Sequence, residues 1–215
     1  MPGMTFPPRV RRRPPAVVCA GLTAVALTAS LTACTGGSPA PLRDRAAAPT
    51  TSERTFPPVA GSELPVDATP DTTGDRTATC PYLDGPFVET TTGQRWTGTS
   101  LDPRFDPPAC VFWSYEDVPQ LTVMVRRMTT HRGAVDVVDT AAPVDSTQKA
   151  LRPDGWSGGR GGDEASAGTG GGAAGSTGAV YAVWKDNLAV VVTASQEQSV
   201  KAERIAERVI ADLGL

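Results

Sequence analysis

The last third of the chain has the clearest hydrophobic pattern. Residues 179–184 (AVYAVW) and 188–194 (LAVVVTA) are runs of strand-forming residues, and a short polar turn separates them. Further on, apolar side chains recur every three or four positions up to Leu213, as in an amphipathic helix with one buried face. Ser195 and Gln198 have the spacing of a capping box at the start of this helix. The pattern predicts two antiparallel strands followed by a C-terminal helix.

The middle of the chain predicts a hairpin and a further strand. Residues 120–128 (QLTVMVRRM) alternate between apolar and polar side chains, which is typical of a strand with one buried face. Residues 110–115 (CVFWSY) are rich in strand-forming residues, and the connection between these two runs is short enough to join antiparallel neighbours. A strand is also predicted over residues 94–99, and a short helix or turn over residues 81–84.

A second helix is predicted over residues 131–141. Thr130 is a suitable N-cap for it, and Pro143 cannot continue it. Glycines interrupt the pattern across residues 157–178, where we expect a Gly-rich loop. The order of elements therefore predicts an α+β domain, with a single antiparallel sheet and two main helices packed against it.

The first 34 residues have the order of a secretory signal. Four arginines within residues 9–13 precede the uncharged, mostly apolar residues 16–31. That run is shorter than the roughly 20 residues of a membrane-spanning helix. Residues 31–34 (LTAC) resemble a bacterial lipobox, in which a peptidase cuts before an acylated cysteine. We expect residues 1–33 to be a lipoprotein signal peptide and Cys34 to carry fatty acids such as palmitate. An ordinary signal peptide with an accidental cysteine is the alternative.

A polar segment separates this signal from the predicted domain. Residues 34–76 are dominated by Pro, Thr, Ser, Ala and Asp, and no apolar period persists in them. Such a composition does not bury enough apolar surface to offset the conformational entropy lost on folding. We therefore expect a disordered tether over residues 34–76 and a folded domain over residues 77–215, which is close to the commonest domain size.

Two cysteines, Cys80 and Cys110, fall inside the predicted domain. Export to an oxidising compartment favours a disulfide between them, and chain-entropy models assign a bridge of this span about 3–4 kcal/mol. Two buried free thiols are the alternative. With one histidine in the chain, these cysteines are too few for a zinc site, and we predict no metal.

Charge and motifs exclude several classes of function. The formal net charge is −3, and the four basic residues before Cys34 are all arginines, so the remaining chain is more acidic still. An acidic surface repels phosphate backbones, so we expect no nucleic-acid partner. The glycines of residues 168–172 lack the Lys-Ser/Thr ending of a phosphate-binding loop, so we expect no nucleotide cofactor. No nucleophile motif is present, and the single histidine, His131, is expected at the surface.

Aromatic residues supply the one candidate binding surface. Trp113 and Tyr115 are predicted on one strand face, and Arg104 and Arg126 are charged residues that could lie beside them. Such a surface could hold a glycan or a peptide. Packing of the aromatic residues in the core beside the disulfide is the alternative.

Five stretches of the predicted domain carry a family resemblance: CPYL from residue 80, LDPRF from residue 101, PACVFWSY from residue 108, PQLTV from residue 119 and QSVKAERIA from residue 198. Together they resemble an actinobacterial domain-of-unknown-function family, numbered two thousand and twenty. The resemblance implies an exported and often lipid-anchored protein, but it implies no activity and no catalytic residue.

These observations predict a lipoprotein held on the extracytoplasmic side of the cell membrane by Cys34, with the lipid bilayer as its first partner. We expect its domain to be non-catalytic and to bind an envelope protein or glycan. A hydrolase or transferase that uses carboxylates on envelope material is one alternative. A structural or assembly-related lipoprotein is another.

Overall fold

The structure is a computed structural model that describes residues 53–162 and 178–215. Within these ranges the chain forms three α-helices and seven β-strands. In chain order they are α1 (Gly85–Thr92), β1 (Gly98–Asp102), β2 (Ala109–Trp113), β3 (Leu121–Arg127), α2 (His131–Ala141), β4 (Gln148–Ala150), β5 (Ser157–Gly161), β6 (Ala179–Lys185), β7 (Leu188–Ala194) and α3 (Ser199–Leu213).

The strands form one sheet in the order β1-β2-β3-β7-β6-β5-β4. Every neighbouring pair is antiparallel. The central strands β3 and β7 pair along their whole length, from Leu121 opposite Ala194 to Arg127 opposite Leu188. The predicted α+β fold with a single antiparallel sheet is confirmed.

Helices cover both faces of this sheet. Alternate residues of β3 point to opposite faces, so Val123 and Val125 join one buried cluster and Met124 joins another. The first cluster includes residues of α3 and the predicted disulfide between Cys80 and Cys110, which is confirmed. The second includes residues of α2. We call these two sides of the sheet the α3 face and the α2 face.

Helix α3 follows the predicted spacing but not the predicted cap. Its buried residues recur at helical spacing and include Ile205 and Val209, and it ends at Gly214 with a left-handed φ of 63°. The N-cap is Gln198, which makes no side-chain cap hydrogen bond. The predicted capping box is wrong, because the Ser195 N–H instead donates to the carbonyl of Gln120.

Helix α1 was missed, since the sequence pattern placed only a short helix or turn at residues 81–84. The helix begins one residue after Asp84, whose carboxylate accepts the Phe87 N–H at 2.8 Å. Three consecutive threonines with low helix propensity obscured it. The hydroxyls of Thr90 and Thr92 donate to carbonyls four residues back.

The prediction of a Gly-rich loop over residues 157–178 is wrong at its start, where Ser157–Gly161 form strand β5. Its glycines occur where other backbone or side-chain atoms come close: a Cβ on Gly159 would lie 2.6 Å from the Thr147 hydroxyl oxygen. A Cβ on Gly158 would lie 2.0 Å from the carbonyl oxygen of Ala182. Residues 163–177, the rest of the predicted loop, lie outside the described residues.

The folded unit also begins earlier than residue 77. Thr55 forms a β-bridge with Thr130, and the Phe56 N–H donates to the Thr129 carbonyl at 2.7 Å. The C-terminal part of the predicted tether is therefore part of the domain. The predicted signal peptide, Cys34 and residues 34–52 of the tether lie outside the described residues. In the part of the chain that the structure describes, no helix has the length and hydropathy needed to cross a bilayer.

Candidate functional site

A groove of about 300 Å³ lies on the α2 face of the sheet. Its floor consists of two cross-strand pairs of β3 and β7: Thr122 opposite Thr193, and Met124 opposite Val191. These four residues lie at the centre of the sheet because β3 and β7 are its middle strands. The groove therefore has a rigid floor.

Two different elements form the walls of the groove. One wall is α2, which contributes Val137, Thr140 and Ala141. The other is an irregular segment that crosses the α2 face, which we call the strap (residues 61–72). Strap residues 66–70 and Thr72 line the groove. One wall is thus a packed helix, and the other is a segment without regular secondary structure.

Arg126 of β3 holds the first half of the strap. Its side chain points to the α2 face, is 2% exposed, and donates to backbone carbonyls of the strap. The guanidinium reaches the oxygens of Gly61 at 2.9 Å, Leu64 at 2.7 Å and Pro65 at 2.8 Å. Burial lowers the pKa of Arg126, and the negative charge of Asp67 opposes that shift. The hydrogen bonds to carbonyls therefore hold a buried positive charge against the strap.

Asp102, at the end of β1, holds the second half of the strap. Its carboxylate accepts the Asp71 N–H at 2.9 Å and the Arg104 N–H at 3.0 Å. The Arg104 guanidinium also pairs with this carboxylate and donates to the Thr69 carbonyl at 3.1 Å. Burial alone would raise the pKa of Asp102, but these hydrogen bonds together lower it below its usual value.

The lining of the groove offers few polar groups to a ligand. Met124, Val137, Ala141 and Val191 are apolar, and the hydroxyls of Thr122 and Thr193 hydrogen-bond to each other across the floor. Thr140, on the α2 wall, donates its hydroxyl to the Asp136 carbonyl at 2.7 Å. Among the residues that the structure describes, Asp67 is the single ionisable one that lines the groove. The groove thus presents mainly aliphatic carbon to whatever enters.

The candidate surface predicted from the sequence does not assemble. Trp113 is 3% exposed and lies under the guanidinium of Arg76, whose central carbon is 3.7 Å from the ring centroid. Tyr115 is 81% exposed at the tip of the β2–β3 hairpin. Arg126 is buried beneath the strap, and Arg104 is paired with Asp102. For Trp113, packing rather than ligand binding describes the observed environment.

A second, larger hollow of about 480 Å³ lies on the other side of α2. Trp184 contributes to it, and the edge of the His131 ring contacts Trp184 with centroids 4.8 Å apart. Several lining residues are exposed, including Gln148 and Lys149 of the short edge strand β4. This hollow is a feature of the surface, whereas the groove on the central strands is enclosed between two walls.

Metal ligands do not gather elsewhere in the described part of the chain. No group of three or more His, Cys, Asp or Glu side chains within residues 53–162 and 178–215 is arranged to hold a metal ion. His131, the lone histidine, is exposed as predicted, and its Nδ1 lies 2.8 Å from the carbonyl oxygen of Asp186.

The sequence did not reveal the groove, because the strap has no hydrophobic periodicity. Its residues (GSELPVDATPDT) have the composition of a linker. The one available signal was Arg126, which shares a face of β3 with the apolar Met124 in a strand that also carries Thr122 and Arg127. A buried arginine needs hydrogen-bond acceptors, and here the strap supplies them.

The fold and the groove define an α+β domain whose antiparallel sheet is covered on both faces and carries an apolar cleft on its central strands. Residues 64–215 match the family model described as Domain of unknown function (DUF2020), and the chain belongs to that family. None of the curated proteins matches it significantly. The family match begins within the strap, consistent with the strap being part of the domain.

Proposed function

We propose that the chain is a lipoprotein anchored through Cys34 on the extracytoplasmic side of the cell membrane, and that its domain binds one aliphatic chain of a membrane lipid. The groove on β3 and β7 is the binding site. The domain acts by binding and not by catalysis. The observation that carries this proposal is the groove lining, which is aliphatic and has most of its hydroxyls already paired within the protein.

The lining favours an aliphatic chain over a glycan or a peptide. Glycans and peptides carry hydrogen-bonding groups that must be paired when they leave water. Three of the five threonines in the lining already have hydroxyl partners inside the protein. An alkyl chain needs no such partners, and each methylene that it buries contributes about 0.8 kcal/mol. A groove of about 300 Å³ is at the small end of ligand sites, which suits one chain rather than several.

The distance to the proposed anchor favours a lipid from the same membrane. Roughly 20 residues separate Cys34 from Glu53, and the tether that their composition predicts would span about 25 Å on average. A domain held so close to a bilayer meets lipid at high local concentration. The proposed anchor and the proposed ligand therefore come from one surface.

Among the described residues, the groove does not contain the pair of carboxylates that the alternative enzyme would need. A glycosidase-like mechanism needs two carboxylates at a set separation, whereas Asp67 is the only carboxylate among the described residues of the lining. Asp102, nearby in the fold, is occupied by Arg104 and the strap. Binding is therefore the function that this site supports best.

A substitution that fills the groove tests this function. Ala141, on the α2 wall, is partly buried, and Ala141→Trp places an indole in the space proposed for the chain. Ala211→Trp is the matched control, because Ala211 is an exposed helical alanine on α3. The protein is the mature chain with Cys34→Ser, and the probe is a fluorescent long-chain fatty acid.

We expect saturable binding by the parent chain and by Ala211→Trp, and binding at least about tenfold weaker by Ala141→Trp, since the lost apolar contact exceeds 1.4 kcal/mol. Equal binding by both variants would mean that the probe lies elsewhere. No binding by the parent chain would overturn the proposed ligand and favour a structural role.

A further inference from the structure

Residues 67–72 of the strap are held to the sheet differently from the chain on either side of them. Residues 61–66 are fixed by the buried Arg126 side chain. After the strap, the Arg76 carbonyl accepts the Thr99 N–H at 3.0 Å, and the Ala78 N–H donates to the Thr99 carbonyl at 2.9 Å. Residues 67–72, which line the groove, are therefore a short loop between two fixed points.

This loop has no hydrogen-bonded ladder with the sheet. Within the described residues, the backbone hydrogen bond that holds residues 67–72 to other backbone groups is a local one, from the Ala68 N–H to the Pro65 carbonyl. Its links to the sheet are the Asp71 N–H to Asp102 and the Thr69 carbonyl to Arg104. Detaching the loop would thus break these two links and the packing of Ala68 against the buried cluster on the α2 face, and would leave every strand pair intact.

The two attachments differ in what their loss would leave behind. If residues 61–66 left Arg126, a buried guanidinium would lose most of its hydrogen bonds, and such an unpaired buried charge is costly. If residues 67–72 left Asp102, its carboxylate would keep the backbone N–H and the guanidinium of Arg104. Opening at Asp102 is therefore much easier than opening at Arg126.

We propose that residues 67–72 are a flap over the groove, that Asp102 with Arg104 is its latch, and that Arg126 fixes its hinge. The flap swings out while residues 61–66 stay on the sheet. This opening widens the groove along one wall and admits a ligand without disturbing β3, β7 or α2. The part of the proposal that concerns ligand entry rests on the proposed function, whereas the movement itself does not.

Hydrogen exchange of the mature Cys34→Ser chain, followed by mass spectrometry, tests the movement. Asp102→Asn weakens the latch. Glu89→Gln is the matched control, because the Glu89 carboxylate likewise accepts a backbone N–H, from Trp96 at 3.0 Å, and pairs with Arg95. We expect Asp102→Asn to raise exchange of the Asp71 amide about tenfold or more, since this N–H donates to the Asp102 carboxylate and hydrogen bonds to charged groups are strong. Residues 61–66 and the Glu89→Gln variant should be unchanged.

Exchange of residues 61–66 and 67–72 at a common rate would overturn the hinge at Arg126. No change at residues 67–72 in Asp102→Asn would overturn the latch. If Asp102→Asn lowers the protection of amides from exchange throughout the domain, Arg104→Gln becomes the test variant. That variant removes the link to Thr69 at a half-exposed side chain, and the same local increase is expected.

Stopped-flow association of the fluorescent fatty acid then tests the flap and the ligand as separate proposals. A faster association with Asp102→Asn than with Glu89→Gln supports entry past the flap, and equal rates contradict it. If the parent chain binds no fatty acid while residues 67–72 still respond to Asp102→Asn, the ligand is wrong and the flap stands. If it binds fatty acid while residues 67–72 do not respond, the flap is wrong and the proposed function stands.

Discussion

Arg126 shows how a single residue in a strand can organise an irregular segment. Arg126 lies between Val125 and Arg127 in β3, and successive side chains of a strand point to opposite faces. The Arg126 side chain therefore points to the α2 face, where it is buried. The strap carbonyls of Gly61, Leu64 and Pro65 accept hydrogen bonds from its two terminal nitrogens in place of a carboxylate, whereas its buried Nε has no partner among the described residues. The wall of the groove therefore depends on one side chain of its floor strand.

Replacing Arg126 should loosen the strap and lower stability. Arg126→Met should reduce the free energy of unfolding by about 1–3 kcal/mol, because charge-assisted hydrogen bonds are lost while most of the buried volume remains. Urea unfolding measures this. Arg208→Met is the control, since Arg208 forms an exposed pair with Asp212, and such pairs contribute about 0.5 kcal/mol or less. Equal effects of the two substitutions would contradict the role assigned to Arg126.

Asp102 should make the stability of the domain depend on pH in the acid range. Its pKa is lowered in the folded protein, so its contribution is present above the ordinary Asp value of about 3.9 and is lost as pH falls through the folded value. The stability difference between the parent chain and Asp102→Asn should therefore shrink below about pH 4. Unfolding curves from pH 7 to 3 measure it. Arg104 stays charged throughout, and Asp71 titrates in both proteins. A difference that stays constant would argue against the lowered pKa.

At the scale of elements, the pattern of apolar residues decided which helices and strands the sequence could predict. β3, α2 and α3 were predicted close to their observed bounds because each has a period of two or of three to four residues, and β6 and β7 because each is a continuous run of strand-forming residues. α1 was missed because its threonines disfavour a helix in isolation. β4 and β5 were missed because one is very short and the other is mostly glycine. β5 forms by pairing with β6, and β4 forms by pairing with β5, which are tertiary effects.

Strand β5 should be sensitive to small additions at its glycines. Gly159→Ala places a Cβ 2.6 Å from the Thr147 hydroxyl and 2.9 Å from the Ala142 carbonyl oxygen, so the α2–β4 connection must shift. We expect a loss of about 1–3 kcal/mol in thermal or urea unfolding. Gly161→Ala meets only side-chain methyl groups at 3.3 Å and should cost less. A smaller effect at Gly159 than at Gly161 would contradict this packing.

At the scale of the whole molecule, the α+β fold and the disulfide could be predicted from the sequence, whereas the site could not. A groove between a helix and a crossing segment depends on which loop covers which part of the sheet. No local pattern encodes that choice. The surface predicted around Trp113 and Tyr115 does not form for a similar reason. Arg76, distant in sequence, covers Trp113, whereas Tyr115 lies exposed at the hairpin tip.

Two proposals concern the same protein: a lipid anchor at Cys34 and a lipid chain in the groove. Native mass spectrometry of the full chain, expressed in a bacterium that processes lipoproteins and released from membranes in mild detergent, measures both. We predict a mass that begins at an acylated Cys34 and carries one further, non-covalent lipid, which Ala141→Trp removes and Ala211→Trp keeps. An uncleaved amino terminus, or a protein that never carries the extra lipid, would contradict the account.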